Sequence, residues 1–114
     1  MPERSGRCYR IHYPKRERPT LRVGAEAWDV VDLSETGVRF RHPDGPGILE
    51  VGTEVEGVMC FRRGEEVPIV GTVLRIDVRL DGGRDIVVDF TEGGIPFGLI
   101  LDEQRYLHSH YPCW

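Results

Sequence analysis

Hydrophobic and polar residues alternate in short runs along most of this chain, which is the pattern of β-strands with one buried face. In Val38-Arg39-Phe40-Arg41 the two apolar side chains fall on one face and the two arginines on the other. Turn residues separate such runs, which together predict six strands. The predicted strands cover residues 21–23, 27–33, 38–41, 55–61, 70–78 and 86–90. In the fifth strand, the alternation predicts a shared apolar face made of Val70, Thr72, Leu74, Ile76 and Val78.

The period changes near the C-terminus, where apolar residues recur every three or four positions. Gly93-Gly94 ends the sheet region, and Pro96 suits the first turn of a helix. The apolar stripe of this predicted helix contains Phe97, Ile100, Leu101, Gln104, Leu107 or His108, and Tyr111. Its polar side contains Asp102, Glu103 and Arg105. The pattern therefore predicts a mostly β fold, a six-stranded antiparallel β-barrel with a C-terminal α-helix over one opening.

Charge divides the chain into a basic N-terminal segment and an acidic remainder. Residues 1–22 carry seven basic and two acidic side chains, whereas residues 23–114 carry eight basic and seventeen acidic ones. Prolines at positions 2, 14 and 19 suit an extended, loosely held segment. We predict one domain overall, with a basic arm over residues 1–19 and the barrel and helix over residues 20–114. The arm either meets an anionic ligand or folds back on the acidic body, and charge alone leaves both open.

Length and composition restrict the class of protein. A chain of 114 residues suits one domain, and 39% hydrophobic with 30% charged residues is typical of a globular fold. No apolar run approaches the roughly 20 residues that a membrane span needs, and the N-terminal residues lack the apolar core of a signal peptide. Cys8, Cys60 and Cys113 are an odd number without CxxC spacing, as expected of reduced thiols. We expect a cytoplasmic protein without membrane insertion.

The turn Asp32-Leu33-Ser34-Glu35-Thr36-Gly37 carries candidate chemistry. Asp and Ser side chains can cap local backbone groups and Gly37 can adopt a left-handed conformation, so a plain turn explains these residues without a ligand. The arginine-rich arm upstream adds a second interpretation. Guanidinium groups bind phosphate oxygens or guanine O6 and N7, and a carboxylate accepts hydrogen bonds from guanine N1–H and N2–H. Arm and turn together predict an anionic guanine nucleotide, because Asp32 would repel bare phosphate.

Two segments of the chain resemble the motifs of the PilZ domain family. They are Arg7-Cys8-Tyr9-Arg10-Ile11-His12-Tyr13-Pro14 and Asp32-Leu33-Ser34-Glu35-Thr36-Gly37-Val38-Arg39-Phe40. The family pattern is an RxxxR arm followed by D/N-x-S-x-x-G, on a six-stranded antiparallel barrel with a C-terminal helix. The resemblance spans essentially the whole chain. It implies a bacterial receptor for the second messenger cyclic di-GMP (c-di-GMP), with no further cofactor.

The resemblance also implies which residues bind the nucleotide. Carried over by position, they are Arg7, Arg10, Asp32, Ser34 and Gly37, with Arg4 as an additional candidate. Gly6 stands four residues before Arg10, so the arm reads Arg7-x-x-Arg10 and Arg7 replaces the first motif arginine. A literal RxxxR runs from Arg18 to Arg22, but Arg22 falls within the first predicted strand and is discounted.

Three functional hypotheses follow from these residues. The first is a c-di-GMP receptor whose arm closes on the ligand and thereby changes the surface seen by a downstream partner protein. The second is a degenerate PilZ adaptor that acts through protein contacts without the nucleotide. The third, an RNA-binding barrel, is disfavoured by the acidic body, so we expect no nucleic-acid partner. We expect a monomer or weak dimer.

Other chemistry-bearing residues have ordinary explanations. His108-x-His110-x-x-Cys113 resembles metal-ligand spacing, but residues i and i+2 of a helix point about 200° apart, so no metal site is predicted. Asp85 and Asp89 share a strand face as a paired acid and base would, yet strand alternation alone accounts for this. We find no catalytic constellation and do not expect an enzyme.

Overall fold

The fold was analysed in a computed structural model, which describes residues 10–42 and 49–111. Two of the residues assigned to the nucleotide, Arg4 and Arg7, lie outside these ranges, as do the thiols of Cys8 and Cys113. The remaining four candidate residues for the nucleotide are described.

Six strands close into an antiparallel barrel, as the alternation predicts. Around the barrel the order is β3, β2, β5, β6, β7 and β4, and β4 pairs with β3 to close it. A two-residue strand, β1, adds to the edge of β3 that β2 leaves open. The strands are β1 (Ile11–His12), β2 (Thr20–Val23), β3 (Glu26–Leu33), β4 (Gly37–His42), β5 (Glu54–Cys60), β6 (Glu66–Val78) and β7 (Arg84–Glu92).

The second half of the arm is packed against the barrel. Ile11 and Tyr13 are buried in the core, and a short 3₁₀ turn at Lys15–Glu17 follows them. The expectation of a loosely held segment is therefore wrong for residues 11–19, because two apolar side chains fix it to the core. The boundary between arm and barrel at residue 19 stays a prediction.

The face predicted for β6 is wrong. Ile69 and Val73 point into the core, whereas Leu74 is 58% exposed and Val78 is 75% exposed. The pairing of β6 with β7 shifts between Val73 and Arg75, so an extra residue, Leu74, interrupts the alternation. Position 71 on the inner face requires glycine, because a Cβ there would lie 2.5 Å from the side chain of Val88.

The C-terminal helix, α1 (Phe97–His110), begins after Pro96 and closes one side of the core, as the sequence predicts. Ile100 and Leu107 of the predicted stripe are buried. Glu103, which the periodicity places on the polar side, is buried as well, so that part of the prediction is wrong. Its burial has a specific partner, described below.

Candidate functional site

A row of outward-facing residues crosses β1 and four strands of the barrel. Cross-strand pairing sets His12 of β1 opposite Asp32 of β3, and Asp32 opposite Arg39 of β4. Arg39 pairs with Val87 of β7, which pairs in turn with Arg75 of β6. Because directly opposed residues of antiparallel strands point to the same face, their five side chains line one surface of the barrel.

Asp32, the first residue of the motif turn, lies within this row between two cationic or ionisable partners. Its Oδ1 is 2.5 Å from Nδ1 of His12, and its Oδ2 is 3.4 Å from Nε of Arg39. The Asp32 side chain keeps 17% of its surface exposed. The carboxylate is therefore held in place from two sides and still faces solvent.

Ser34 organises the turn between β3 and β4. Its Oγ accepts hydrogen bonds from the backbone amides of Thr36 at 3.3 Å and Gly37 at 3.2 Å. Its own amide donates to the carbonyl of Gly37 at 2.9 Å. These bonds are the turn-capping interactions expected without a ligand.

Gly37 is needed for close packing rather than for backbone conformation. Its φ lies outside the left-handed region, so the expectation of a left-handed glycine is wrong. A Cβ at this position would lie 2.8 Å from the carbonyl oxygen of Val88 on β7. Only glycine lets β4 approach β7 at the start of their pairing, Gly37 with Asp89.

The four described candidates, Arg10, Asp32, Ser34 and Gly37, line one cavity of about 130 Å³. Arg10 is exposed at its rim. The cavity is also lined by residues that belong to neither motif. They include Arg39, Leu74, Arg75 and Asp89. Arg39 is detectable in the sequence as a polar position facing the same side as Asp32. Leu74 and Arg75 both reach the cavity only because of the bulge in β6.

Asp85, one of the two strand carboxylates considered for acid–base chemistry, has a structural role. Its side chain is 8% exposed and lies 2.9 Å from Nη1 of Arg79 and 3.1 Å from Nε of Arg41. Burial opposes its ionisation, but the hydrogen bonds from these two arginines outweigh burial and hold the pKa of Asp85 below its ordinary value. Asp89 is exposed, so the two carboxylates do not share an environment.

Comparison with protein families decides what kind of domain this barrel is. The family model of the PilZ domain matches residues 4–104. The chain belongs to the PilZ domain family. Comparison with curated proteins gives no match.

Two solved structures share the fold of this PilZ domain. Bacillus subtilis Inhibitor of motility (MotI/DgrA) superposes with a TM-score of 0.66 at 13% identity, over 96% of this chain and 52% of that one. The PilZ domain of YcgR from Escherichia coli, solved with c-di-GMP, superposes with a TM-score of 0.60 at 15% identity. That match covers 88% of this chain and 86% of the YcgR chain. The chain thus spans about half the length of MotI/DgrA and most of the YcgR domain.

A second polar cluster of the PilZ domain joins the arm to α1. Tyr13 donates a hydrogen bond of 2.6 Å to Glu103, and Tyr111 donates one of 2.6 Å to Glu17. Arg63 approaches the second oxygen of Glu103 at 3.7 Å. Burial raises the pKa of Glu103, and the hydrogen bond from Tyr13 and the charge of Arg63 only partly oppose that rise.

The remaining candidates lie away from the cavity. Arg18 approaches Asp29 at 3.9 Å, and Arg22 approaches Glu66 at 3.8 Å, so the literal RxxxR segment is engaged elsewhere on the barrel. His110 contacts the backbone of its own helix. Over residues 10–42 and 49–111, no three metal-ligating side chains cluster together. No helix in the same ranges is long and apolar enough to cross a membrane.

Proposed function

We propose that this PilZ domain binds c-di-GMP in the cavity beside the β3–β4 turn, as a receptor rather than an enzyme, in a bacterial cytoplasm. The supporting observation is that Arg10, the Asp32 carboxylate and Ser34 line the same cavity. A carboxylate accepts hydrogen bonds from guanine N1–H and N2–H, and a guanidinium binds phosphate oxygens or guanine O6 and N7. One anionic guanine nucleotide can therefore bind both the Asp32 carboxylate and the Arg10 guanidinium.

The mixed charge of the cavity favours a nucleotide over a simple anion. Asp32 and Asp89 contact the cavity alongside Arg10 and Arg39. A small anion would meet two carboxylates, whereas a guanine base gives Asp32 a donor edge and leaves the phosphates to the arginines. Arg7, with Arg4 as a further candidate, is proposed to complete the arm as a second cationic contact.

We further propose that the arm relays ligand binding to a partner protein through α1. The support is the pair of hydrogen bonds that tie the arm to α1 and to the residue that follows it: Tyr13 donates to Glu103, and Tyr111 donates to Glu17. Only two residues, Ile11 and His12, lie between Arg10 at the cavity rim and Tyr13. A shift of the arm toward the ligand must therefore strain or repack its contacts with α1, which changes the surface of the helix.

Titration calorimetry with c-di-GMP tests this proposal. Wild type is compared with Arg10→Ala and Asp32→Ala, and an exposed pair on α1, Asp102 and Arg105, supplies the matched controls Asp102→Ala and Arg105→Ala. A lost charge-assisted contact should weaken binding about 10- to 150-fold. The controls should bind as wild type does.

Folded wild-type protein that takes up no c-di-GMP at tens of micromolar ligand would contradict the proposal. That outcome would favour the adaptor that works through protein contacts alone.

A further inference from the structure

The bulge in β6 places two side chains on the cavity side of the barrel. Pairing with β7 shifts between Val73 and Arg75, which leaves Leu74 as the extra residue. Leu74 is exposed despite its apolar side chain, and the Arg75 side chain is 56% exposed. Both contact the cavity that holds the motif residues. A regular strand would have turned one of these two neighbours toward the core.

Arg75 lies at the opposite end of the outward-facing row from His12. From Asp32 the row passes Arg39 and Val87 before it reaches Arg75. Three strand spacings of about 4.8 Å separate Asp32 from Arg75, or roughly 14 Å measured along the curved sheet. That length exceeds what one nucleobase needs and suits a ligand with more than one base and more than one phosphate.

Among the described residues, the guanidinium of Arg75 has a hydrogen-bond partner only at Nε. Its Nε lies 3.1 and 3.2 Å from the two carboxylate oxygens of Asp77. The Asp77 carboxylate also forms an ion pair with Arg39, whose Nη2 lies 3.0 Å away. One carboxylate therefore positions two arginines of the cavity. No residue in the described part of the chain bonds Nη1 or Nη2 of Arg75. Those two nitrogens remain as donors in the fork geometry that matches phosphate or the guanine edge.

We propose that Arg75 is a further nucleotide-binding residue, and that Leu74 beside it gives an apolar contact to a base. This inference rests on the proposed function and extends the ligand site from the arm and turn to β6. It also has a consequence for the arm. Gly6 stands where the motif has its first arginine, and Arg75 supplies a cation to the site from the barrel instead.

Calorimetry with c-di-GMP on the full chain tests the role of Arg75. The variants are Arg75→Ala and Arg75→Lys, and Arg105→Ala is the matched control because Arg105 is also exposed and also faces an aspartate two or three residues away. Arg75→Ala should bind c-di-GMP at least 10-fold more weakly than wild type. Arg75→Lys keeps the positive charge without the forked guanidinium, so its affinity for c-di-GMP should lie between those of wild type and Arg75→Ala. Arg105→Ala should match wild type.

The outcomes separate this inference from the proposed function. If wild type binds and Arg75→Ala binds within twofold of it, the role of Arg75 is overturned and the proposed function stands. An equal loss in Arg105→Ala also overturns the role, since net charge then explains the effect. If wild type does not bind, both fall together. Thermal midpoints without ligand check folding, and should Arg75→Ala unfold, wild-type affinity in a folded Arg75→Lys overturns the fork contact.

Discussion

Tyr13 and Glu103 are 90 residues apart in the chain and meet inside the protein, where the Tyr13 hydroxyl donates a hydrogen bond of 2.6 Å to the Glu103 carboxylate. Both side chains are buried. The bond joins the segment that follows Arg10, a residue lining the cavity beside the β3–β4 turn, to the C-terminal helix. It fixes the position of the arm on the side of the barrel where α1 packs.

Loss of this hydrogen bond should destabilise the fold. Tyr13→Phe keeps the ring in the core but leaves the Glu103 oxygen without its donor, at an expected cost of about 1–3 kcal/mol in the free energy of unfolding. Urea denaturation measures the change. Tyr106 lies on α1, the helix that carries Glu103, and Tyr106→Phe is the control. It should change the free energy of unfolding by less than about 0.5 kcal/mol. Equal effects of the two variants would show that the Tyr13 hydroxyl contributes nothing specific.

Glu103 should make the protein more stable in mild acid than at neutral pH. Burial raises the pKa of Glu103 in the folded protein, so the folded state binds the proton more tightly than the unfolded state does. Its contribution to stability is complete below the ordinary glutamate pKa of about 4.3 and is lost as pH rises through the raised value. Glu103→Gln should remove this trend, and exposed Glu92→Gln should retain it. Denaturation curves between pH 4 and 7 decide the matter.

Asp85 should show the opposite pH dependence. Its folded pKa is lowered, so its contribution is present above the ordinary aspartate pKa of about 3.9 and is lost as pH falls through the lowered value. Asp85→Asn should cost about 1–3 kcal/mol at pH 7, and the difference from wild type should shrink on acidification. Asp102→Asn, exposed and paired only at the surface, should cost little at either pH. A difference independent of pH would rule out this account of Asp85.

Gly37 and Gly98 should respond to alanine in opposite directions. A Cβ at Gly37 would lie 2.8 Å from the carbonyl of Val88, whereas Gly98 in the first turn of α1 has nothing within 4 Å. Gly37→Ala should therefore cost about 1–3 kcal/mol, and Gly98→Ala should stabilise by up to about 1 kcal/mol. Thermal unfolding of the two variants measures both changes. Stabilisation by Gly37→Ala would mean that β4 and β7 separate without cost.

Strand alternation predicts most of this fold because each strand has one face toward a single core. Val38 and Phe40 are buried and their neighbouring arginines face outward, as the pattern indicates. The turn motif and Arg10 also line one cavity, and their binding of a ligand there stays a prediction. Periodicity predicts the buried face of a strand correctly wherever the strand stays regular along its whole length.

Three features depend on contacts between distant segments, which periodicity does not contain. Leu74 is exposed because the pairing of β6 with β7 slips by one residue. Glu103 is buried because Tyr13 reaches it from the arm. Gly37 is small because Val88 of a different strand approaches it. In each case, a partner far away in the sequence overrides the local pattern.

Chemical-shift mapping with c-di-GMP is the most direct test of the central claim that the nucleotide binds beside the β3–β4 turn. In ¹⁵N-labelled protein, saturating c-di-GMP should shift the amide signals of Arg10, Ser34, Thr36 and Gly37 most strongly. The amide of Gly24, in the distant turn between β2 and β3, should stay in place. An unchanged spectrum, or shifts that spare residues 32–37, would contradict the account.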